Sequence, residues 1–164
     1  MALTAWSAQW FLPFALPICI WVAWNDMKFM KIPNKAVVAL TVVFLLVGLI
    51  ALPLAQYPWR LLHLVVVLAV GFGLNMLGAI GAGDAKFAAA MAPFVALGDL
   101  RNIFYLFAAV LLAAVLTHRT FKRLDRIRAL TPEWKSWETR DFPMGLALGG
   151  TLGFYLIIGA LLGS

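Results

Sequence analysis

Seven acidic residues occur in the chain, and two of them stand where solvation alone is a poor explanation. Asp26 follows an apolar run directly, within Trp24-Asn25-Asp26-Met27-Lys28, and Asp84 interrupts two apolar runs, within Gly81-Ala82-Gly83-Asp84-Ala85-Lys86. An acid at such a boundary is costly to bury, so a functional role is the default reading. Two carboxylates brought within a few ångströms of each other in a water-poor site cannot both ionise and come to share one proton. The charged member then takes a proton from water while the neutral one protonates or polarises a carbonyl. That is the chemistry of peptide hydrolysis without a metal or a covalent intermediate. The other five acids, Asp99, Asp125, Glu133, Glu138 and Asp141, are read as solvated loop residues.

For those two acids to meet, the intervening chain must return them to one surface, and composition says what kind of chain this is. Of 164 residues, 64% are hydrophobic and only 12% charged, far from the balance of a water-soluble domain. Lipid is therefore the solvent. A helix needs roughly 20 apolar residues to cross a bilayer, and the charges divide the chain into six candidate segments: Leu3–Trp24, Ala36–Leu54, Leu61–Ile80, Phe87–Gly98, Ile103–Thr117 and Pro143–Gly163. The expected fold is an all-α, polytopic membrane protein of about six transmembrane helices in a single integral-membrane domain, residues 1–164. The fourth segment is too short to cross unless neighbouring backbone sits inside the membrane, which is tolerated only where protein or a wet cavity covers it.

Orientation follows from the cations, which collect in cytoplasmic loops. All except Arg60 and Arg101 fall after the first, third and fifth segments. Those loops are therefore expected to be cytoplasmic, with both termini outward. The first segment has no preceding cation and a positive cluster after it, the reverse of a cleavable signal peptide. Asp26 follows one crossing and Asp84 three, so the two acids emerge on one face. The polar stretch 118–142, with its Arg residues and Trp134 and Trp137, reads as a cytoplasmic basic loop lying on anionic lipid. The net charge of +6 is thus explained by topology, without nucleic acid.

Local sequence supports a site at that face. Gly81 and Gly83 let a second chain approach closely beside Asp84, and Lys86 reads first as a topology anchor. After Asp26, the turn Ile32-Pro33-Asn34 sends the chain back into the membrane and holds Asp26 at the surface, proline being tolerated where a helix starts. In the last segment Gly145, Gly149 and Gly153 share a helix face suited to close packing. Other chemistries are poorly served. Cys19 is the one cysteine, so no disulfide or Cys-x-x-Cys metal knuckle is available. His63 and His118 fall on opposite sides, and neither belongs to a His-Glu-x-x-His pattern.

With Asp26-Met27-Lys28 followed by Lys31-Ile32-Pro33-Asn34, then Gly81-Ala82-Gly83-Asp84-Ala85-Lys86, and more weakly Phe142-Pro143-Met144-Gly145, the sequence resembles a type IV prepilin peptidase, a membrane aspartyl protease of the Gly-x-Gly-Asp class. The resemblance implies that Asp26 and Asp84 are catalytic and that Gly81, Gly83, Lys86, Ile32, Pro33 and Asn34 frame the site. It also implies pilin-like precursors as substrates, cut in their short basic leader at the cytoplasmic face of a bacterial inner membrane, with no cofactor or metal. The chain lacks the cysteine-bearing insert of the long members, so their methyltransferase activity is not carried over. Its small size is similar to the peptidases of tight-adherence (Flp) pili. Met30 stands where a basic residue is common. Presenilin-like proteases share Gly-x-Gly-Asp, but neither a Pro-Ala-Leu element nor a Tyr-Asp pair is present. The alternative is a non-enzymatic transporter or assembly subunit using Asp26 and Asp84 as ion or proton ligands.

Overall fold

The structure is a computed structural model, and it describes residues 1–163. Its helices run α1 Ala5–Phe29, α2 Asn34–Ala51, α3 Tyr57–Met76, α4 Ala82–Met91, α5 Leu100–Lys122, α6 Asp125–Leu130 and α7 Met144–Leu162, with single 3₁₀ turns at Ala92–Phe94, Leu97–Asp99 and Lys135–Trp137. Among the described residues there is no strand. Five helices are long and apolar enough to span a bilayer: α1, α2, α3, α5 with the turn before it, and α7. The fourth segment is short, as its sequence suggests. The protein is an all-helical, polytopic membrane protein.

Helix α1 is the central element, packed between α7 and α2. Its start is capped by Thr4, whose hydroxyl accepts from the Ser7 N–H at 3.2 Å. The Ser7 hydroxyl in turn donates to the Ala51 carbonyl at 2.6 Å, satisfying an acceptor at the end of α2. Against α7 the approach is close because glycines lie at the seam. A Cβ built on Gly149 would stand 2.7 Å from the Cys19 carbonyl oxygen, so no larger residue fits there without moving a backbone. Phe11, Phe44 and Phe94 bring α1, α2 and the turn after α4 into one fully buried cluster, with ring centroids 4.8–5.8 Å apart.

Helix α1 extends beyond the apolar segment Leu3–Trp24 to Phe29, which places Asp26 in its last turn. Falling hydropathy marks where a membrane ends, not where a helix ends. The terminator is Met30, in the left-handed region at φ 54°, whose N–H closes on the Asp26 carbonyl at 2.8 Å. Similarly, α5 runs on to Lys122, and its last turn carries Arg119 and Lys122, where cations suit the helix dipole.

One expectation needs correction: Asp99 and Arg60, read from sequence as loop residues, are buried. Asp99 is 1% exposed and Arg60 6%. Both serve the fourth segment, which crosses the bundle in pieces. At one end Gly83 lies against Ile32, just past the end of α1. At the other, Asp99 accepts hydrogen bonds from the N–H groups of Ala2 and Leu3, just before α1 begins. Between them the helix breaks, leaving Val95 and Ala96 extended and buried. Backbone freed inside a membrane must find partners. The Ala96 N–H donates to the Tyr155 hydroxyl at 3.1 Å, that hydroxyl donates to Asp99 at 2.9 Å, and Arg60 donates to the Pro93 carbonyl at 3.4 Å.

Candidate functional site

Asp26 and Asp84 stand at one end of the bundle, close enough for Asp26 to act on the Asp84 carboxyl electrostatically. Each is set by a helix terminus. Asp26, on the last turn of α1, is 5% exposed, and its Oδ2 accepts a 2.7 Å hydrogen bond from the Gly145 N–H. Gly145 is the second residue of α7, where N–H groups have no partner within the helix and the dipole favours negative charge. The approach again depends on glycine, since a Cβ at Gly145 would fall 2.9 Å from the Asp26 Cβ.

Asp84 occupies the first turn of α4 and is half-buried. Its carboxyl folds back over the helix start to meet the Gly81 N–H. A Cβ on Gly81 would stand 2.7 Å from Asp84 Oδ2, so that side chain position is reserved for the carboxylate. The second glycine has a different task. A Cβ on Gly83 would reach ordinary contact, 3.4 Å, with the Ile32 Cβ. The Gly-x-Gly-Asp and Ile-Pro-Asn segments therefore touch through Gly83 and Ile32. Pro33 precedes Asn34, the first residue of α2, and its carbonyl accepts the Ala36 N–H at 3.0 Å. The Asn25 side chain donates to the Lys31 carbonyl at 2.6 Å, holding the turn against the end of α1.

Lys86 is exposed, and among the described residues neither Asp26 nor Asp84 is in a salt bridge. Lys28 pairs instead with Glu133 at 2.8 Å, and that pairing holds the exposed Glu133 carboxyl below its ordinary range. Trp134 meets Trp24 edge-on at 5.1 Å, and Trp137 stacks on His118 at 5.1 Å. Together these contacts lay the segment 131–142 over the ends of α1 and α5, from where the chain enters α7 at Met144. The role of Gly145 was missed at the level of sequence, where it figured as a packing glycine and as the end of the Phe142–Gly145 motif. That motif was the available signal; the donor role depends on Asp26 lying inside the helix.

Two carboxyls at one end, neither in a salt bridge among the described residues, one buried and one facing a groove between helices, can divide acid and base tasks between them. Among the described residues no three His, Cys, Asp or Glu side chains cluster as metal ligands would.

Comparison with curated proteins and with solved structures gave no match. A model of the type IV leader peptidase family matches residues 13–118, a stretch holding both Asp26 and Asp84 and most of the bundle up to the end of α5. The chain is thus a membrane-embedded peptidase and belongs to the type IV leader peptidase family.

Proposed function

We propose that this peptidase is an aspartyl endopeptidase that removes the short leader from pilin-like precursors at the cytoplasmic face of a bacterial inner membrane. Asp26 and Asp84 are its catalytic pair, and Gly81, Gly83, Ile32, Pro33, Asn34 and Lys86 frame the site. The observation that carries this reading is the convergence of two acids, 58 residues apart in sequence, at one end of the bundle with, among the described residues, no cation paired to either. The carboxylate of the pair deprotonates a water, the protonated member donates to the scissile carbonyl, and the proton returns as the amine leaves. The small size and the missing cysteine-bearing insert favour the tight-adherence pilus type. The distribution of Lys and Arg supports termini that face outward.

The test is co-expression with a tight-adherence pilin precursor, reading the mobility shift of the processed form. Asp26→Asn and Asp84→Asn should each lower processing by about 10²–10⁴-fold while the protein remains inserted. Retained processing in either variant would remove the dyad and favour the ion-ligand alternative.

A further inference from the structure

A groove of about 1020 Å³ runs along the bundle between α3 and α5, floored by α4 and α7. Asp84, Ile80 and Met144 line one end of it, and Ala2, Gln56 and Gly98 the other. Its polarity is graded along that length. Gln56, just before α3, and Trp59, Arg60 and His63 on its first two turns line the end far from Asp84 and recur on one face. Beyond them the walls are apolar: Val66, Val67 and Leu74 from α3, and Phe104 and Phe107 from α5.

Arg60 is the notable member. It is 94% buried, since its exposure is 6%, yet it lines the groove. Of its five N–H donors, one is used, on the Pro93 carbonyl at 3.4 Å, beyond the usual range for such bonds. Tyr155 and Asp99 act on it electrostatically, but among the described residues it is in no salt bridge, and the Asp99 oxygens accept from the Ala2 and Leu3 N–H groups, the Asn102 side chain and the Tyr155 hydroxyl. Its remaining donors open into the groove, where an anion could reach them, and its planar fork suits a phosphate. Arg60 is in the first turn of the apolar helix α3, where a span would meet lipid headgroups, beside Trp59, which is 68% exposed as an interfacial indole is.

We infer that this groove is a binding site for a diacyl glycerophospholipid, its phosphate held by Arg60 and its acyl chains lying along the apolar walls toward Asp84. A charged group confined to one end and hydrocarbon along the rest is the pattern of that ligand. A free anion would leave the walls unfilled, and an acyl chain alone would leave Arg60 unmatched. The Arg60 end of the groove lies opposite its Asp84 end, so the phosphate contacts neither acid of the proposed catalytic pair.

The test uses the whole protein purified in mild detergent, with dioleoyl phosphatidylglycerol titrated in and bound lipid counted by native mass spectrometry. The parent should retain the lipid, and Arg60→Gln should weaken retention at least tenfold. Arg101→Gln, which changes an exposed cation outside the groove, should match the parent. Val66→Trp obstructs the apolar wall while leaving Arg60 intact, and should weaken binding about fivefold even if Arg60→Gln fails to insert. Glycerol phosphate should not compete at equal concentration. Lipid retention no higher than detergent background, equal loss in the Arg60 and Arg101 variants, an undiminished Val66→Trp variant, or displacement by glycerol phosphate would each overturn the proposal.

Discussion

Replacing Gly149 by alanine tests whether the glycine seam between α1 and α7 holds the site together. The added Cβ would stand 2.7 Å from the Cys19 carbonyl oxygen, about 0.7 Å inside the 3.4 Å at which ordinary contact begins. That oxygen belongs to the backbone of α1 and cannot rotate aside, so α7 must back away. Gly145 lies one turn earlier on the same face, and its N–H donates to Asp26 over 2.7 Å. A comparable displacement there stretches the bond to about 3.4 Å, outside the range of a good hydrogen bond. Overpacking costs about 1–3 kcal/mol, and a misplacement approaching 1 Å at a reacting group can cost about 10²-fold in rate. Gly149→Ala should therefore lower both the thermal midpoint in detergent and precursor processing, the latter by about 10–100-fold, with the protein still inserted. Gly73→Ala is the control, because nothing lies within 4 Å of the Cβ it would add; it should process precursor normally and unfold no earlier than the parent. Parental stability and turnover in Gly149→Ala, or equal damage in Gly73→Ala, would refute the reasoning.

Tyr155→Phe removes the hydroxyl that joins Ala96 to Asp99, leaving a buried N–H without its partner and Asp99 one donor short. It should cost about 1–3 kcal/mol, read by thermal unfolding, with amide exchange rising first around Val95–Ala96. The Lys28–Glu133 pair holds the Glu133 carboxyl below its ordinary value of 4.5. Its support for the segment 131–142 is therefore full above that value and is lost as pH falls through the lowered folded one. Limited proteolysis of that segment should accelerate in acid and at high salt, and Glu133→Gln should remove the pH dependence. Processing by the purified enzyme should follow a bell-shaped pH profile whose two apparent pKa values belong to the pair. It should also survive chelators and serine-protease reagents; a flat acidic limb or inhibition by a chelator would contradict the shared-proton scheme.

The spans could be read from sequence because hydrocarbon thickness imposes a length and a polarity on every crossing. The same rule misled where polar groups are satisfied by partners far along the chain. Arg60 and Asp99 looked like loop residues because charge normally marks the water boundary. Tyr155, 56 residues beyond Asp99, and the terminal N–H groups of Ala2 and Leu3 are what allow Asp99 inside. No local pattern announces such partners. Asp26 stood out at the end of an apolar run, but the continuation of its helix to Phe29 depends on the left-handed Met30, which hydropathy does not mark. Gly145 was legible as a small residue on a packed face but not as a donor. The Ile32–Gly83 contact explains why two separate motifs occur together, which spacing alone leaves open.

The irregular fourth segment ties these points to the chemistry. Helix α4 has 10 residues, which at ~1.5 Å each rise about 15 Å, half of a ~30 Å hydrocarbon core. Had the chain turned back there, Asp99 would lie at the same end as Asp84, and α5 would start on the wrong side. Instead two 3₁₀ turns, at ~2.0 Å per residue, and the extended Val95–Ala96 link carry it to the start of α1. Tight turns and extended backbone cover more distance per residue than an α-helix, but they free polar groups that lipid cannot satisfy. Tyr155, Asp99 and Arg60 are the compensation, at the end of the bundle opposite Asp26 and Asp84. Two acids can share one surface here because a buried polar network at the other end lets a short, broken segment do the work of a full span.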